Sequence, residues 1–527
     1  MSADLYKWEV LRDEKEDELE REKIDRFLVF GLALTLLIVP IISRLYINSN
    51  FVSPVLTDGD ILSTGSKTDI FTAYKYFFLV TSTIILLLLF LYKVFILRYS
   101  IPSNLLYVFL AVFALSIALS VVFAPYKMLA LHGTYNRHDG AITYLCYISL
   151  FFIAANIKYD LKMLKSILYA LYPFVLINVS LGLLNFYGYD VLKWSWVKSL
   201  LYSSLPDGLE LTEGSRFITT VNHGNYISGA SAVLITLFFV WALLDQNRVR
   251  SIFHLFVALA SFSMLLSSLS VSGFLTTLVI FPIILLIGTR YATKKQFITY
   301  VLVFIISSSF IYTAMTKHNP KVWDETFGFF IKSNPFAEAR TVVNELQKAF
   351  DASHVYAETG SNQENQEYQL PELPKPGVGP GSGRLYIWKK TLELIQQRPL
   401  FGYGLDTLAY FFPQDDPEKQ ANIETYKVIV DKPHNMYIGI AYGAGVIALF
   451  AFVAFIFNIA LSMMKRLITI KLVDDQQAIF VSIALACCAY LIQALFNDSI
   501  IGTAVIFWIL LGLLVSFLMQ NKQEKVG

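Results

Sequence analysis

The stretch SIFHLFVALASFSMLLSSLSVSGFLTTLVIFPIILLIGT, residues 251–289, decides the fold class, because it contains no Asp, Glu, Lys or Arg. A helix needs about 20 apolar residues to cross the hydrocarbon of a bilayer, so this run is too long for one crossing. It contains a natural break at residues 267–273, where serine and glycine favour a short turn. We therefore predict two consecutive membrane-spanning helices in this stretch.

The whole chain has the same apolar character. Of its 527 residues, 55% are hydrophobic and only 16% are charged, which is too apolar for a soluble protein of this length. The formal net charge of +2 provides no basic surface for nucleic acid, so membrane lipid is the expected surrounding. Cys146, Cys487 and Cys488 lie in apolar runs and lack the spacing of a zinc site or a disulfide framework, so we interpret them as packing residues.

Apolar runs of spanning length recur along the chain and predict an all-α polytopic membrane protein with about twelve transmembrane helices. The runs cover residues 27–43, 77–92, 102–124, 141–157, 166–187, 222–244, the two halves of 251–289, 296–316, 436–461, 476–497 and 499–520. An even number of spans places both termini on the same side of the membrane.

The distribution of Lys and Arg predicts the orientation. These residues cluster in alternate connections, at 93–98, 158–165, 248–250, 290–295 and 465–471, and the positive-inside rule assigns that side to the cytoplasm. We therefore expect a protein of the cytoplasmic (inner) membrane with both termini in the cytoplasm. Its predicted parts are a charged cytoplasmic helix at 1–26, spans one to nine within 27–316, a large extracytoplasmic loop at 317–435, spans ten to twelve within 436–520, and a cytoplasmic tail at 521–527.

The large extracytoplasmic loop is predicted to be partly helical. Residues 338–350 and 385–397 have helical patterns, and the stretch 353–383 between them is polar and rich in Pro and Gly, which favours a hinge or a lid. Residues 377–383 read Gly-Val-Gly-Pro-Gly-Ser-Gly, but no strand precedes them and Pro380 interrupts them. A nucleotide-phosphate loop is therefore not indicated.

Four residues on the predicted outer side are candidates for chemistry. No ATP is available there, so we expect a lipid pyrophosphate donor, whose phosphate oxygens an arginine can hold bidentately. Arg216 lies in GSRFITTVNHGN, Arg384 opens the helical pattern of GRLYIW, and Arg137 lies in GTYNRHDG, where it could hold another part of the donor or acceptor. His434, in KPHNMY, has the titration range of a general base.

Each of these candidates also has an ordinary interpretation. Arginines at a membrane interface commonly contact lipid phosphates without any catalysis. An arginine at the start of a helix often forms a surface salt bridge, and a single interfacial histidine usually serves as a hydrogen-bonding residue. Position alone therefore does not decide between the two interpretations.

A longer pattern contains two of these residues. The stretch GRLYIWKKTLELIQQRPLFGYG, residues 383–404, is followed by PHNMYI at 433–438 and by a helix bearing Gly-Ala-Gly. Together they resemble the core signature of the O-antigen ligase and polymerase superfamily. Elsewhere the resemblance is carried by the number of spans, the late large outer loop, and the Arg216 segment with its downstream Asn-His-Gly-Asn.

The resemblance implies a metal-independent, cofactor-free, inverting glycosyltransferase of cell-surface polysaccharide biosynthesis. Its donor would be an undecaprenyl pyrophosphate-linked glycan, and its acceptor a hydroxyl of a glycan, lipid or protein outside the membrane. The two arginines and one histidine that carry the family's chemistry fall on Arg216, Arg384 and His434, and the substrate-binding set is then Arg137, Arg216 and Arg384. Ligase and polymerase signatures overlap, so this choice stays open, and the insertion at 353–383 departs from the pattern on the acceptor side.

Two other classes of function fit parts of the same sequence. A flippase or transporter of a lipid-linked oligosaccharide would also have about twelve spans with both ends inside, but it should keep ionisable residues at mid-membrane depth. The predicted spans are nearly free of charge, and no clear internal repeat is visible. A membrane scaffold whose loop binds a partner is the third alternative, and it predicts that Arg216, Arg384 and His434 can be replaced without loss.

Overall fold

The structure, a computed structural model, describes residues 14–57, 62–202, 219–221, 223–331, 333–336, 374–425, 427–471 and 473–523. Helices dominate these ranges. The α-helices are α1 Glu14–Ile38, α2 Ala73–Leu91, α3 Leu105–Phe123, α4 Lys127–His132, α5 Ala141–Ala155, α6 Leu161–Tyr169, α7 Tyr172–Phe186, α8 Ser195–Leu201, α9 Gly224–Leu244, α10 Arg248–Ser267, α11 Val271–Tyr291, α12 Lys294–His318, α13 Lys321–Asp324, α14 Arg384–Gln397, α15 Glu418–Ile423, α16 Met436–Thr469, α17 Asp475–Gln493 and α18 Ile501–Gln523.

The all-α polytopic membrane architecture predicted from the sequence is confirmed. Within the described ranges, ten helical segments are long and apolar enough to cross a membrane, and a π-helical turn at Tyr92–Ile96 extends one of them, α2. The predicted break is also confirmed, because α10 ends at Ser267 and α11 begins at Val271. The other two predicted spans coincide with the apolar second half of α1 and with the shorter α5, and the count of twelve stays a prediction.

Three predicted features at the start of the first span and in the large loop can be compared with the structure. Helix α1 runs through the expected junction at residues 26 and 27 without a break. Helix α14 confirms the helical pattern expected at 385–397, whereas the pattern at 338–350 lies outside the described residues. The connection between α1 and α2 contains an antiparallel hairpin of β1 (Tyr46–Phe51) and β2 (Gly65–Asp69), which was not predicted from the sequence.

Helix α9 forms the centre of the bundle. Its residues are mostly apolar on every side, and its membrane-spanning part is entirely buried, as expected for a helix surrounded by other helices. It packs against α10, α11 and α17. A Cβ on Gly229 would lie 2.2 Å from Oε1 of Gln493 in α17, so a side chain at this position would require the Gln493 side chain to move. Helix α12 lies at the periphery of the bundle, because only 6% of the residues in its membrane-spanning part are buried.

A kink in α16 provides the surface on which the loop region docks. Gly445 has a φ of 89° within this helix, and a Cβ there would lie 2.0 Å from the carbonyl oxygen of Leu400. The amide of Val446 donates to the carbonyl oxygen of Pro399 at 2.8 Å. The segment after α14 therefore bonds directly to the backbone of α16, which fixes α14 relative to the start of that helix.

A small second core holds the loop region together. It consists of buried side chains from α14, from the segment that follows it, and from the first turns of α16, and these are Tyr386, Ile387, Ile395, Tyr403, Leu408, Phe412, Val430, Ala441 and Tyr442. The rings of Tyr403 and Tyr442 stack with centroids 5.3 Å apart. The burial of these apolar and aromatic groups stabilises the loop helix against the membrane-spanning bundle.

Candidate functional site

Helix α14 presents Arg384 as its first residue. The preceding Gly383 has a φ of 80°, and a Cβ there would lie 2.7 Å from the carbonyl oxygen of Asn422, so the turn requires glycine. One turn into the helix, Nε1 of Trp388 donates to the carbonyl oxygen of Pro433 at 2.7 Å. This hydrogen bond connects the helix that carries Arg384 to the residue just before His434.

His434 lies immediately before α16. Asn435 caps this helix, because its side chain accepts hydrogen bonds from the amides of Tyr437 and Ile438. His434 has a φ of 53°, a left-handed conformation that is uncommon for a residue other than glycine. Its side chain is 33% exposed, so the imidazole is accessible from outside the protein.

Asp498 is the partner of this imidazole. It lies in the connection between α17 and α18, and its Oδ2 is 3.0 Å from Nδ1 of His434. Burial alone would raise the pKa of Asp498, but the neighbouring charges of His434, Lys432 and Arg137 outweigh it and hold the pKa below its ordinary value. Within the described ranges, Nε2 of His434 makes no hydrogen bond, so a carboxylate orients one ring nitrogen and leaves the other for a ligand.

Arg384 belongs to the same region. Its guanidinium is half-buried and has no hydrogen bond or ion pair in the part of the chain that the structure describes. Burial lowers the pKa of Arg384, and the charge of Asp498 opposes this shift. The imidazole of His223 also interacts with the charges of His434, Arg384 and Asp498. A cation to which the described residues offer no hydrogen-bond or ion-pair partner therefore lies within electrostatic reach of Asp498.

Arg216 lies outside the described residues, but residues of the segment that follows it are described. The amide of Thr220 donates to Oδ1 of Asn178 at 2.8 Å, and its hydroxyl donates to the carbonyl oxygen of Pro40 at 2.8 Å. His223, seven positions after Arg216, is the residue that interacts with His434 and Arg384. The part of Arg216 in the site therefore stays a prediction.

Arg137 is held by two carboxylates. Its Nε lies 3.1 Å from Oδ1 of Asp406, and its Nη1 pairs with Asp431. The side chain is 12% exposed. Thr134 contributes to the same group, because its amide donates to Oδ2 of Asp406 at 2.7 Å. The connection between α4 and α5 is therefore joined to the segments on both sides of α15.

A further ion pair, between Lys432 and Asp139, lies beside the group formed by Arg137, Asp406 and Asp431. Nζ of Lys432 is 2.9 Å from Oδ2 of Asp139 and donates to the carbonyl oxygen of Ser499 at 3.2 Å. Burial raises the pKa of Asp139 to about 6, against the opposing charge of Lys432. A cavity of about 40 Å³ adjoins these residues and is also lined by Asp431 and Asp498. No group of three or more His, Cys, Asp or Glu suited to a metal ion occurs in the described ranges.

Several residues of this site were not predicted from the sequence. Asp498 follows Phe-Asn between two long apolar runs, and an isolated charge in so short a connection was a signal that could have identified it. Asp139 and Lys432 adjoin the candidates Arg137 and His434 in sequence, but nothing in one sequence shows that they pair. The structure brings His434 and Arg384 into one region and surrounds them with these unpredicted charges.

Comparison with known proteins identifies one family. Residues 255–453 match the family model described as O-antigen ligase. The matched part contains Arg384 and His434, and it excludes Arg137, Asp139, Arg216 and Asp498. The resemblance to the O-antigen ligase and polymerase superfamily is thus confirmed, and the match supports a cell-surface glycan ligase or polymerase family. A search of curated proteins found no match.

Proposed function

We propose that this chain, whose residues 255–453 form an O-antigen ligase domain, is an inverting glycosyltransferase of the cytoplasmic membrane. It would transfer or polymerise a glycan from an undecaprenyl pyrophosphate-linked donor onto an acceptor hydroxyl outside the membrane. The observation that carries the proposal is an accessible His434 paired with buried Asp498, near the guanidinium of Arg384, which has no ion-pair partner among the described residues. These groups are what a direct displacement at an anomeric carbon requires.

The base side of the reaction uses His434. Nδ1 is directed by Asp498, so Nε2 is the nitrogen that takes the proton of the acceptor hydroxyl. As the acceptor oxygen forms its bond to the anomeric carbon, the bond between that carbon and the pyrophosphate oxygen breaks. The proton stays on the imidazole, beside the carboxylate of Asp498. Attack on the face opposite the leaving group inverts the anomeric centre without a covalent intermediate.

The leaving-group side uses arginine. Negative charge grows on the diphosphate as it departs, and a positioned guanidinium stabilises that charge. Arg384 is suited to this role, because it has no carboxylate partner in the described ranges that would compete for it. Arg216 is proposed as the second guanidinium that stabilises the diphosphate, and His223, seven positions after it, interacts electrostatically with Arg384. Metal independence is part of the proposal, since two guanidinium groups would supply the charge that a divalent ion supplies elsewhere.

Arg137 enters the proposal differently. Its guanidinium already contacts Asp406 and Asp431, and a substrate phosphate would compete with the more exposed of these, Asp431, whose side chain is 32% exposed. Contact with substrate through Arg137 is therefore proposed at the side of its guanidinium that faces the partly exposed Asp431.

The test is replacement of His434 by Ala in the producing cell. We expect loss of the surface polymer or conjugate and accumulation of lipid-linked precursor on the outer leaflet, while the protein stays at normal abundance in the membrane. His318→Ala is the matched control, because His318 is also exposed, at the end of α12, and its ring lies tilted against that of Tyr187 with centroids 4.5 Å apart. This control should retain the surface glycan.

The products that remain distinguish the alternatives. Single repeat units on the final acceptor would identify a polymerase, whereas full-length polymer on the lipid carrier would identify a ligase. Precursor retained on the inner leaflet would favour a flippase. An unchanged glycan in the His434→Ala strain would remove the histidine from catalysis and favour a scaffold.

A further inference from the structure

We infer that Asp139 and Lys432, with Arg137 and Asp431, form a clasp by which a connection outside the matched domain sets the position of the base. These four are positioning residues. The inference rests on the proposed function, because it takes His434 to be the group that deprotonates the acceptor. It assigns a role to the α4–α5 connection, residues 133–140, which lies outside the matched range 255–453.

The clasp consists of two ion pairs between two short segments. Arg137 pairs with Asp431, and Asp139 pairs with Lys432 at 2.9 Å. The side chains of Asp139 and Lys432 are each 6% exposed, so this pair is shielded from solvent. The loss of one partner from a buried pair leaves an uncompensated charge, which makes such a pair sensitive to geometry. Arg137 is further fixed by Asp406.

Lys432 links the segments that carry His434 and Asp498 to Asp139. It lies two positions before His434, so its side chain fixes the segment that carries the imidazole. The same ammonium donates to the carbonyl oxygen of Ser499 at 3.2 Å, and Ser499 directly follows Asp498. The contact between Nδ1 of His434 and Oδ2 of Asp498 therefore depends on where Asp139 holds Lys432.

The backbone of His434 shows why such anchoring is required. A non-glycine residue with a φ of 53° persists only where the surrounding structure holds it there. Two contacts on the preceding residues do so: Lys432 binds Asp139, and the carbonyl of Pro433 accepts from Trp388. The cap of α16 at Asn435 fixes the following residue. The clasp supplies the part of this support that comes from the first half of the chain.

The experiment compares two buried lysines in the purified full chain. Lys432→Met breaks the clasp, and Lys93→Met breaks a buried pair of similar kind, in which Nζ lies 2.6 Å from Oδ1 of Asp25. The donor is lipid-linked glycan extracted from cells that lack the gene, and the readout is release of undecaprenyl pyrophosphate. We expect Lys432→Met to lower kcat about 100-fold with KM for the donor within about twofold, because only the alignment of the base is lost. Lys93→Met should keep near-normal kcat, and Lys432→Arg should recover most of the loss.

A milder variant keeps the test informative if Lys432→Met does not fold. Asp431→Asn removes the other pair at a partly exposed position and leaves Arg137 paired with Asp406. We expect kcat to fall about tenfold, and kcat is the deciding quantity for this variant, because loss of the Asp431 charge also frees Arg137 for a substrate phosphate and should lower KM for the donor. Equal kcat values for the clasp variants and Lys93→Met, per folded protein, would overturn the inference.

His434→Gln, assayed in parallel, separates this inference from the proposed function. If His434→Gln turns over normally, the proposed function fails and the inference fails with it. If His434→Gln is inactive while both clasp variants match Lys93→Met, only the inference is overturned.

Discussion

Replacement of Asp498 tests whether the carboxylate orients the base. Asp498→Ala removes the partner of Nδ1, and the imidazole can then rotate or present the wrong nitrogen to the acceptor. Asp498→Asn keeps an oxygen that can accept from Nδ1–H at the present distance of 3.0 Å, but it removes the negative charge. The two variants therefore separate orientation from charge at the same atom.

The expected losses follow from the contact. A hydrogen bond to a charged group contributes about 1.5–3 kcal/mol and a neutral one about 0.5–1.5 kcal/mol, so Asp498→Asn should cost about 1–1.5 kcal/mol. This corresponds to about a five- to tenfold fall in kcat. Asp498→Ala removes the alignment itself, and the loss should approach the contribution of a general base, about 100- to 10,000-fold. The neighbouring cations hold the pKa of Asp498 below its ordinary value, so the carboxylate is ionised at neutral pH in the native protein.

The assay is release of undecaprenyl pyrophosphate by purified protein, with thermal unfolding in detergent as the check on folding. Asp25→Ala is the control, because Asp25 is also a buried carboxylate in an ion pair, with Lys93. It should lower stability without a comparable fall in kcat. The reasoning is refuted if Asp498→Ala retains more than about half of native kcat, or if Asp25→Ala loses as much.

Three further predictions concern other parts of the site. Arg384→Lys keeps the charge but loses the bidentate fork, so activity should fall about tenfold, against about 100-fold for Arg384→Ala, measured as the rate of donor consumption. The pKa of Asp139, which burial raises to about 6, predicts that activity falls below about pH 6 as the pair with Lys432 is neutralised, and that Asp139→Asn removes this step from the pH–rate profile. The raised pKa means that folded Asp139 binds its proton more tightly than unfolded Asp139 does. Lowering the pH from about 6 to about 4 should therefore not reduce the contribution of Asp139 to the unfolding temperature. Gly445→Ala places a methyl 2.0 Å from the carbonyl oxygen of Leu400 at a φ of 89°, and it should cost about 1–3 kcal/mol or more, measured as a lower unfolding temperature in detergent.

The fold was largely predictable, because membrane-spanning helices can be identified in a sequence by their length and apolar composition. The break between α10 and α11 could be placed at residues 267–273 from serine and glycine alone, and α14 from its helical pattern. The kink at Gly445 was not predicted, because the sequence shows only Gly-Ala-Gly in an apolar helix. The reason for that glycine is the carbonyl of Leu400, which approaches from a distant segment and excludes a side chain.

The site was predictable only in part, because its geometry depends on pairings between distant segments. His434 and Arg384 could be proposed from motifs in a single region of the chain. Asp139 and Lys432 are 293 positions apart, so local spacing in one sequence carries no information about their contact. The partner of His434, Asp498, lies beyond the next two membrane helices, α16 and α17. The arginines and the histidine belong to a recognisable pattern, whereas the residues that orient them are visible only in three dimensions.

The distribution of charge around the site matches the reaction proposed for it. Proton transfer and bond cleavage create a positive charge on His434 and leave a negative diphosphate, so the transition state separates charge. On the histidine side, Oδ2 of Asp498 lies 3.0 Å from Nδ1 of His434, so its carboxylate is placed to stabilise the positive charge that forms on the ring during the reaction. Arg384 has no carboxylate partner in the described ranges and remains able to bind an anion. A carboxylate beside the base, together with a guanidinium that has no carboxylate partner among the described residues, is complementary to that transition state, and less so to the neutral acceptor and intact donor.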